Sequence, residues 1–354
     1  MEKLIQELED NYEIFLTDPF IQRDTKELLP YLKYLTELSS YVELKLLDTL
    51  EKIGITEPTL HEATMAEKLN VAYNFFNDTG LDIDIENAVA NDDIIMHEAR
   101  DGQEFLDDDE VDRLAGYVDF IDGRWKVFVL NRNIYEEVAT LVHELEHYVN
   151  RGNFEITPPV AAVTTETLAF SVEIILSDYL KQNGEIEVGK NCFFETIQNM
   201  FNNMYHSYYF IQLLRLYKEK GNLNIETYEE FYNFTFEYEE EYEDILEQAI
   251  EYLDGDKGIW GLWYAFAYPI VIHIYHGYKK DPKKWIAKIN KLHTMINISS
   301  LEEVLTFMEI KLPLSPLNFN EDLDILVDEL QEYINPPKVL KGGKKNGIKS
   351  WYDF

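Results

Sequence analysis

The sequence predicts a mainly α-helical protein with one small β element, and three observations predict it. Apolar residues recur at three-to-four spacing through most of the 354 residues. One stretch, Ala115 to Leu130, alternates instead like two strands joined at the turn signal Asp122-Gly123. Hydrophobic content of 46% and aromatic content of 14% mark a globular chain, long enough for one large or two closely packed domains.

In chain order, residues 2–55 read as two or three amphipathic helices closing at Gly54. A further helix over about 60–79 ends at Gly80, with His61 and His97 read as ordinary surface or capping histidines. Residues 81–113 are acidic and turn-rich and read as loop with a short helix. Their run Asp107-Asp108-Asp109-Glu110 lacks the alternating ligands and central glycine of a calcium loop. The hairpin of 115–130 leads into a helix over 133–152, with Asn133 and Glu136 spaced as a capping box and Gly152 as the stop. After Pro158-Pro159 a long helix runs over about 160–182 and ends at Asn183-Gly184. Helices are expected at 191–220, 226–253, 258–280, 282–296, 299–310 and 320–334, and the basic, glycine-containing 336–354 reads as a flexible tail.

Composition excludes several partners. A net charge of −36 argues against nucleic acid and anionic membranes, and could steer cationic peptides. No apolar run approaches the roughly 18 residues of a membrane span, and the acidic start MEKLIQELEDNYE is unlike a signal peptide. Cys192 is the only cysteine, which fits a reducing cytoplasm.

The chemistry concentrates in the helix after the hairpin. His143-Glu144-Leu145-Glu146-His147 is an H-E-x-x-H, and on a helix positions i and i+4 share a face. Both imidazoles can reach one metal ion, with Glu144 beside them to activate water at the metal. Val138, Leu141, Val142, Leu145 and Val149 form the stripe that anchors this helix in a core. A catalytic zinc needs a third protein ligand and an open position. Glu166 and Glu173 are two turns apart on one face of the next helix. The loop between the helices is long enough for an antiparallel return, so Glu166 is assigned as the third ligand. Glu173 is assigned to orienting a ligand histidine.

ATLVHELEHYVN (139–150) and TTETLAFSVEIILSDYL (164–180) resemble the active-site helix and following helix of the oligoendopeptidase F and thimet oligopeptidase family of zinc peptidases. Weaker similarity runs from about 65 to 335, through DGRWKVFVLN, KEKGNLNIETYEEFYNF, WYAFAY and DPKKW. The resemblance implies a helical, two-lobed fold with a deep channel: an N-terminal lobe over 1–110 and a catalytic lobe over 111–335. It implies zinc as cofactor and short unstructured peptides as substrate. It also matches Tyr264 and Tyr268 to a Tyr-x-x-x-Tyr pair whose hydroxyl stabilises the oxyanion. The chain departs from the family in three ways. Glu146 stands where the family prefers Gly, and the chain is shorter than typical members. The family's His before its Tyr cluster has no counterpart in DGDKGIWG (254–261), and His273 and His276 could substitute from the other side.

These expectations sum to a zinc metalloendopeptidase with Glu144 as general base. An aminopeptidase or thermolysin-like enzyme also fits the gap to Glu166 and the Glu-x₆-Glu pair. A non-catalytic regulatory protein retaining the zinc helix is the reading outside enzymes.

Overall fold

The computed structural model describes residues 59–98, 116–150, 159–200, 257–295, 300–311 and 316–334, together with Lys3, Gln6 and Asp10. Apart from Lys3, Gln6 and Asp10, the helices expected over 2–55, together with 201–220 of the helix expected over 191–220, the helix over 226–253, the acidic run 107–110, the stop at Gly152 and the basic tail, lie outside these residues. So does the boundary between the lobes.

Thr64 caps α1 (Met65–Thr79) through a reciprocal capping box with Glu67, and Gly80 closes it at φ 78°, in the left-handed region. After a short α2 (Ile85–Ala90), the strand β1 (Ile94–Glu98) corrects the expectation of plain loop there. β1 pairs in parallel with β3 (Arg124–Asn131), and β2 (Gly116–Ile121) pairs antiparallel with it, giving the order β1-β3-β2. A five-residue strand whose partner lies about thirty residues away leaves no hairpin signal in the sequence. The hairpin itself is as expected, with Asp122 and Gly123 both at positive φ, 54° and 80°.

The chain enters α3 (Val138–Asn150) through a 3₁₀ turn, Tyr135–Glu137, so the capping differs from the expected Asn133–Glu136 box. Asn133 turns the backbone at φ 61°, and Glu137, one residue later, reaches back to the amides of Arg132 and Ile134. Both glutamates of the turn are buried and paired. Glu137 receives Lys68 Nζ at 2.7 Å and Arg132 Nε at 2.8 Å, while Glu136 meets His61 Nδ1 at 2.9 Å and Asn191 Nδ2 at 2.8 Å. These bonds fix the angle at which α3 enters the core.

Among the described elements, α4 (Pro159–Gln182) packs most extensively against α3 and α6 (Lys257–Lys280). Its apolar residues point in every direction, among them Val163, Leu168, Val172, Ile174, Ile175 and Leu176, all fully buried. The buried hydroxyls of Thr167, Ser171 and Ser177 bond to carbonyls one turn back, so they ask nothing of the surroundings. The next helix, α5, begins at 186 and is described to 200. α7 (Pro282–His293), α8 (Leu301–Phe307) and α9 (Pro316–Ile334) complete the scaffold, with α7 and α9 both against α6. Gly277 lets the Trp285 indole lie on α6: a Cβ there would come within 1.9 Å of the ring. Among the described residues the protein is mainly helical with one small sheet, as its sequence predicts, with β1 as an unforeseen third strand.

Candidate metal centre

The two middle turns of α3 carry His143, Glu144 and His147, and α4 returns alongside to bring Glu166 and Glu173 to the same place. The Nε2 atoms of His143 and His147 are 3.0 Å apart. Glu166 Oε1 lies 3.6 Å from His147 Nε2, and its Oε2 lies 3.8 Å from His143 Nε2. One atom from each of these three residues falls within 4.8 Å of the others. Tetrahedral ligands about 2.0–2.2 Å from a zinc ion stand roughly 3.3 Å from one another, so the three side chains have the spacing of a zinc donor set.

Electrostatics give the same answer. Burial holds His143 down to about 4 and His147 to about 3, the neighbouring His143 adding to the second shift, so both imidazoles offer lone pairs at neutral pH. Burial raises Glu166 to about 8, helped by Glu173, and raises Glu173 to about 8 against a bond from Thr196. Burial also pushes Glu144 up, with Glu166 and Glu173 adding to the rise. Among the described residues no lysine or arginine pairs with these three carboxylates, and Glu166 Oε2 is buried without a hydrogen-bond partner. Three carboxylates and two neutral imidazoles form a pocket that a divalent cation would satisfy.

Each group is aimed by a neighbour. His143 Nδ1 donates a short hydrogen bond to Glu173 Oε1, which leaves Nε2 turned towards His147 and Glu166. Glu173 Oε2 in turn accepts from Thr196 Oγ1 of α5 at 2.9 Å. Glu173 thus stands against His143, and Thr196 adds a further link. On the other side, the first residue of β2 lies directly over Glu144: a Cβ on Gly116 would meet Glu144 Cγ at 2.6 Å and Thr140 Cγ2 at 3.0 Å.

Phe170 lies between His143 and α6, its ring 4.8 Å from the His143 ring, 5.6 Å from Tyr264 and 5.0 Å from Tyr268. Tyr264 is partly exposed. Its hydroxyl is held in the protonated, donating form by burial and by the fields of Glu166, Glu144 and Glu173. Tyr268 is completely buried. His273 and His276 are both engaged elsewhere. His273 Nδ1 bonds Asp322 Oδ2 at 2.8 Å, and His276 Nδ1 bonds Asp322 Oδ1, tying α6 to α9. Nine residues beyond Tyr264, His273 leaves the helix on the opposite side.

Glu146 points away from the ligands into the core. Its side chain is fully buried, with Oε1 2.5 Å from His293 Nε2 of α7 and 2.6 Å from Asn150 Nδ2, while Oε2 has no partner. The place where the resembling family prefers Gly is filled here by half of a buried ion pair. The sequence marks Glu146 as odd but carries no sign of His293, which a different helix supplies. Thr196 and Gly116 likewise gain their roles only through tertiary contact.

No protein-family model matches the sequence, and no curated protein matches it either. Three solved structures share its fold. One, from Chlamydophila abortus and described as a peptidase, aligns over 94% of this chain and 62% of its own, with TM-score 0.62 and 12% identity. PZ peptidase A, solved with an inhibitor, aligns over 92% and 61%, with TM-score 0.57 and 9% identity. A Bacillus anthracis protein described as an oligoendopeptidase F aligns over 92% and 59%, with TM-score 0.52 and 11% identity. The chain thus spans about three-fifths of the length of each. Among the described residues no helix is long and apolar enough to cross a membrane.

Proposed function

From a chain that shares its fold with three peptidases, we propose a zinc-dependent endopeptidase that cleaves short, unstructured peptides. It would act in the cytoplasm as the single cysteine leads one to expect, with neither nucleic acid nor membrane as partner. The observation that carries this reading is the convergence of His143, His147 and Glu166 within 4.8 Å, with Glu144 on the same helix face. That donor set fits zinc, held by His143, His147 and Glu166. When bound, zinc supplies the Lewis acidity that lowers the pKa of water and polarises a peptide carbonyl.

The remaining chemistry belongs to the protein. Glu144 takes a proton from the attacking water and passes it to the leaving amine. Glu173, steadied by Thr196, keeps His143 in the tautomer whose Nε2 is a lone pair. A tyrosine hydroxyl from α6 donates to the oxyanion. Tyr264 is favoured over Tyr268, because it is partly exposed whereas Tyr268 is completely buried. The outer edge of β2 pairs with no other strand among the described residues. A peptide backbone can hydrogen-bond there, beside Glu144, as an added strand. Domains follow the same proposal, with 111–335 as the catalytic lobe and 1–110 as the N-terminal one.

Glu144→Gln tests the reading. The variant is expected to bind zinc as the wild type does, measured by metal analysis after gel filtration, and to lose hydrolysis of a quenched peptide library by more than a hundredfold. Retained hydrolysis would sink the mechanism. Zinc uptake by the wild type without turnover of any peptide would turn the reading towards a non-catalytic binding protein. Faster cleavage of free than of N-blocked peptides would turn it towards an aminopeptidase.

A further inference from the structure

The sheet face that touches Glu144 continues beyond α3 and ends in an aromatic pair. Cross-strand partners put their side chains on the same face, and the register pairs Gly116 with Val129, Val118 with Val127, and Phe120 with Trp125. Val127 and Val129 are buried in the core, Val118 packs against it, and Gly116 rests on Glu144. Phe120 and Trp125 therefore belong to this same face, two pairs farther along. Their rings meet edge to face at 5.3 Å. Both remain open to solvent, Phe120 at 55% and Trp125 at 37% of full exposure. Two large rings in mutual contact at a hairpin end, exposed on the core side of a sheet, are unlike the scattered surface apolar residues of an ordinary protein.

We infer that the Phe120–Trp125 pair is a specificity platform for a large apolar side chain of the peptide, preferably aromatic. The inference rests on the peptidase reading above. The pair stands four residues along β2 from Gly116, about 13 Å at the rise of an extended strand. A peptide paired to the edge of β2 that has no strand partner among the described residues keeps the same rise and the same two-residue alternation. Its residue beside Gly116 sits at Glu144, and the residue four positions away turns its side chain to the same face, onto Phe120. The chain would thus read its substrate at a distance of four residues from the reacting end, and an aromatic ring there would complete a three-ring cluster.

The test uses full-length, zinc-loaded protein and quenched peptides with one mapped cleavage site. Phe or Ser is placed four residues from that site, on the N-terminal side in one pair and the C-terminal side in the other. Wild type is expected to favour the Phe peptide by about two- to tenfold in kcat/KM on one side. Phe120→Ser/Trp125→Ser should bring that ratio to about one, while Phe120→Leu keeps part of it. Both rings are exposed, so neither change should unfold the protein, and circular dichroism checks this. No preference in the wild type, or a preference that survives the double variant, overturns the inference while leaving the peptidase reading intact. A dimer seen by sedimentation that the double variant dissolves, with the ratio unchanged, would make the pair a self-association surface and overturn it as well. Absence of cleavage of every peptide removes the peptidase reading and this inference together.

Discussion

Glu146→Gln removes the charge from a fully buried carboxylate lying 2.5 Å from His293 Nε2. Breaking a buried ion pair costs about 3–5 kcal/mol when the surviving charge is trapped. His293 is not trapped, because it can shed its proton. Burial alone would lower its pKa, but the charge and hydrogen bond of Glu146 reverse that and hold it above the usual 6.5. The stability this contributes is complete below 6.5 and is lost as pH rises through the higher folded-state value. In the variant only the weaker field of Asp82 opposes burial, and His293 falls below 6.5. Well above that pH both unfolded chains carry a neutral histidine, and the substitution costs roughly one buried hydrogen bond, about 1–2 kcal/mol. Below it, the folded variant must keep neutral a histidine that the unfolded chain protonates, at about 1.4 kcal/mol per pH unit. The expected destabilisation is therefore about 1–2 kcal/mol at pH 8.5 and about 3 kcal/mol at pH 5.5. Urea unfolding followed by circular dichroism at both pH values, with metal content matched, measures it. A loss that is equal at the two values, or smaller in acid, would refute the reasoning. Replacing both partners by leucine should come closer to neutral than either single change.

Thr196→Ala removes the hydroxyl that steadies Glu173, and zinc affinity is expected to fall by about ten- to a hundredfold in competition with a chelator. Unchanged affinity would leave Thr196 a packing residue. Gly116→Ala places a methyl within 2.6 Å of Glu144 Cγ. Since the base must move, kcat should drop while circular dichroism and zinc content stay as they were. Gly277→Ala would gain helix propensity on an open helix surface, yet here its Cβ would strike the Trp285 indole. The expected result is a loss of about 1–3 kcal/mol in thermal unfolding, part of it recovered by adding Trp285→Leu.

What the sequence made readable was local. His143 and His147 are four residues apart on one helix, so their common face follows from helix geometry alone, and the loop length brings α4 back antiparallel. Gly80, Gly123 and Gly184 all take positive φ at turns the sequence marks, because only a few residue types tolerate that backbone. What it hid was tertiary. β1 is five residues whose partner is β3, a parallel pairing that no turn announces. Helix spacing alone does not say which way a helix is rotated in the assembled core. Thus Tyr264 and Tyr268 looked equivalent until the structure left one partly open and buried the other. For the same reason His273 and His276 gave no sign of the shared Asp322. The capping carboxylate shifted by one residue, from Glu136 to Glu137, because a 3₁₀ turn precedes the helix, and residue spacing does not distinguish it from a first α-turn.

The position of α4 has a consequence for kinetics. Between Ala161 and Asp178 this helix is buried apart from half-buried Thr165 and Glu166, with its hydroxyls bonded to its own carbonyls, and its amides there should exchange with solvent far more slowly than those of its exposed end at Gln182. Glu166 and Glu173 ride on that helix, and α3, bearing the two imidazoles, packs along it. Fraying of the exposed end of α4 therefore does not reach the donor set. Residence of an ion there would be governed by passage through the mouth of the site, and would stay long even under conditions that loosen the surface elements.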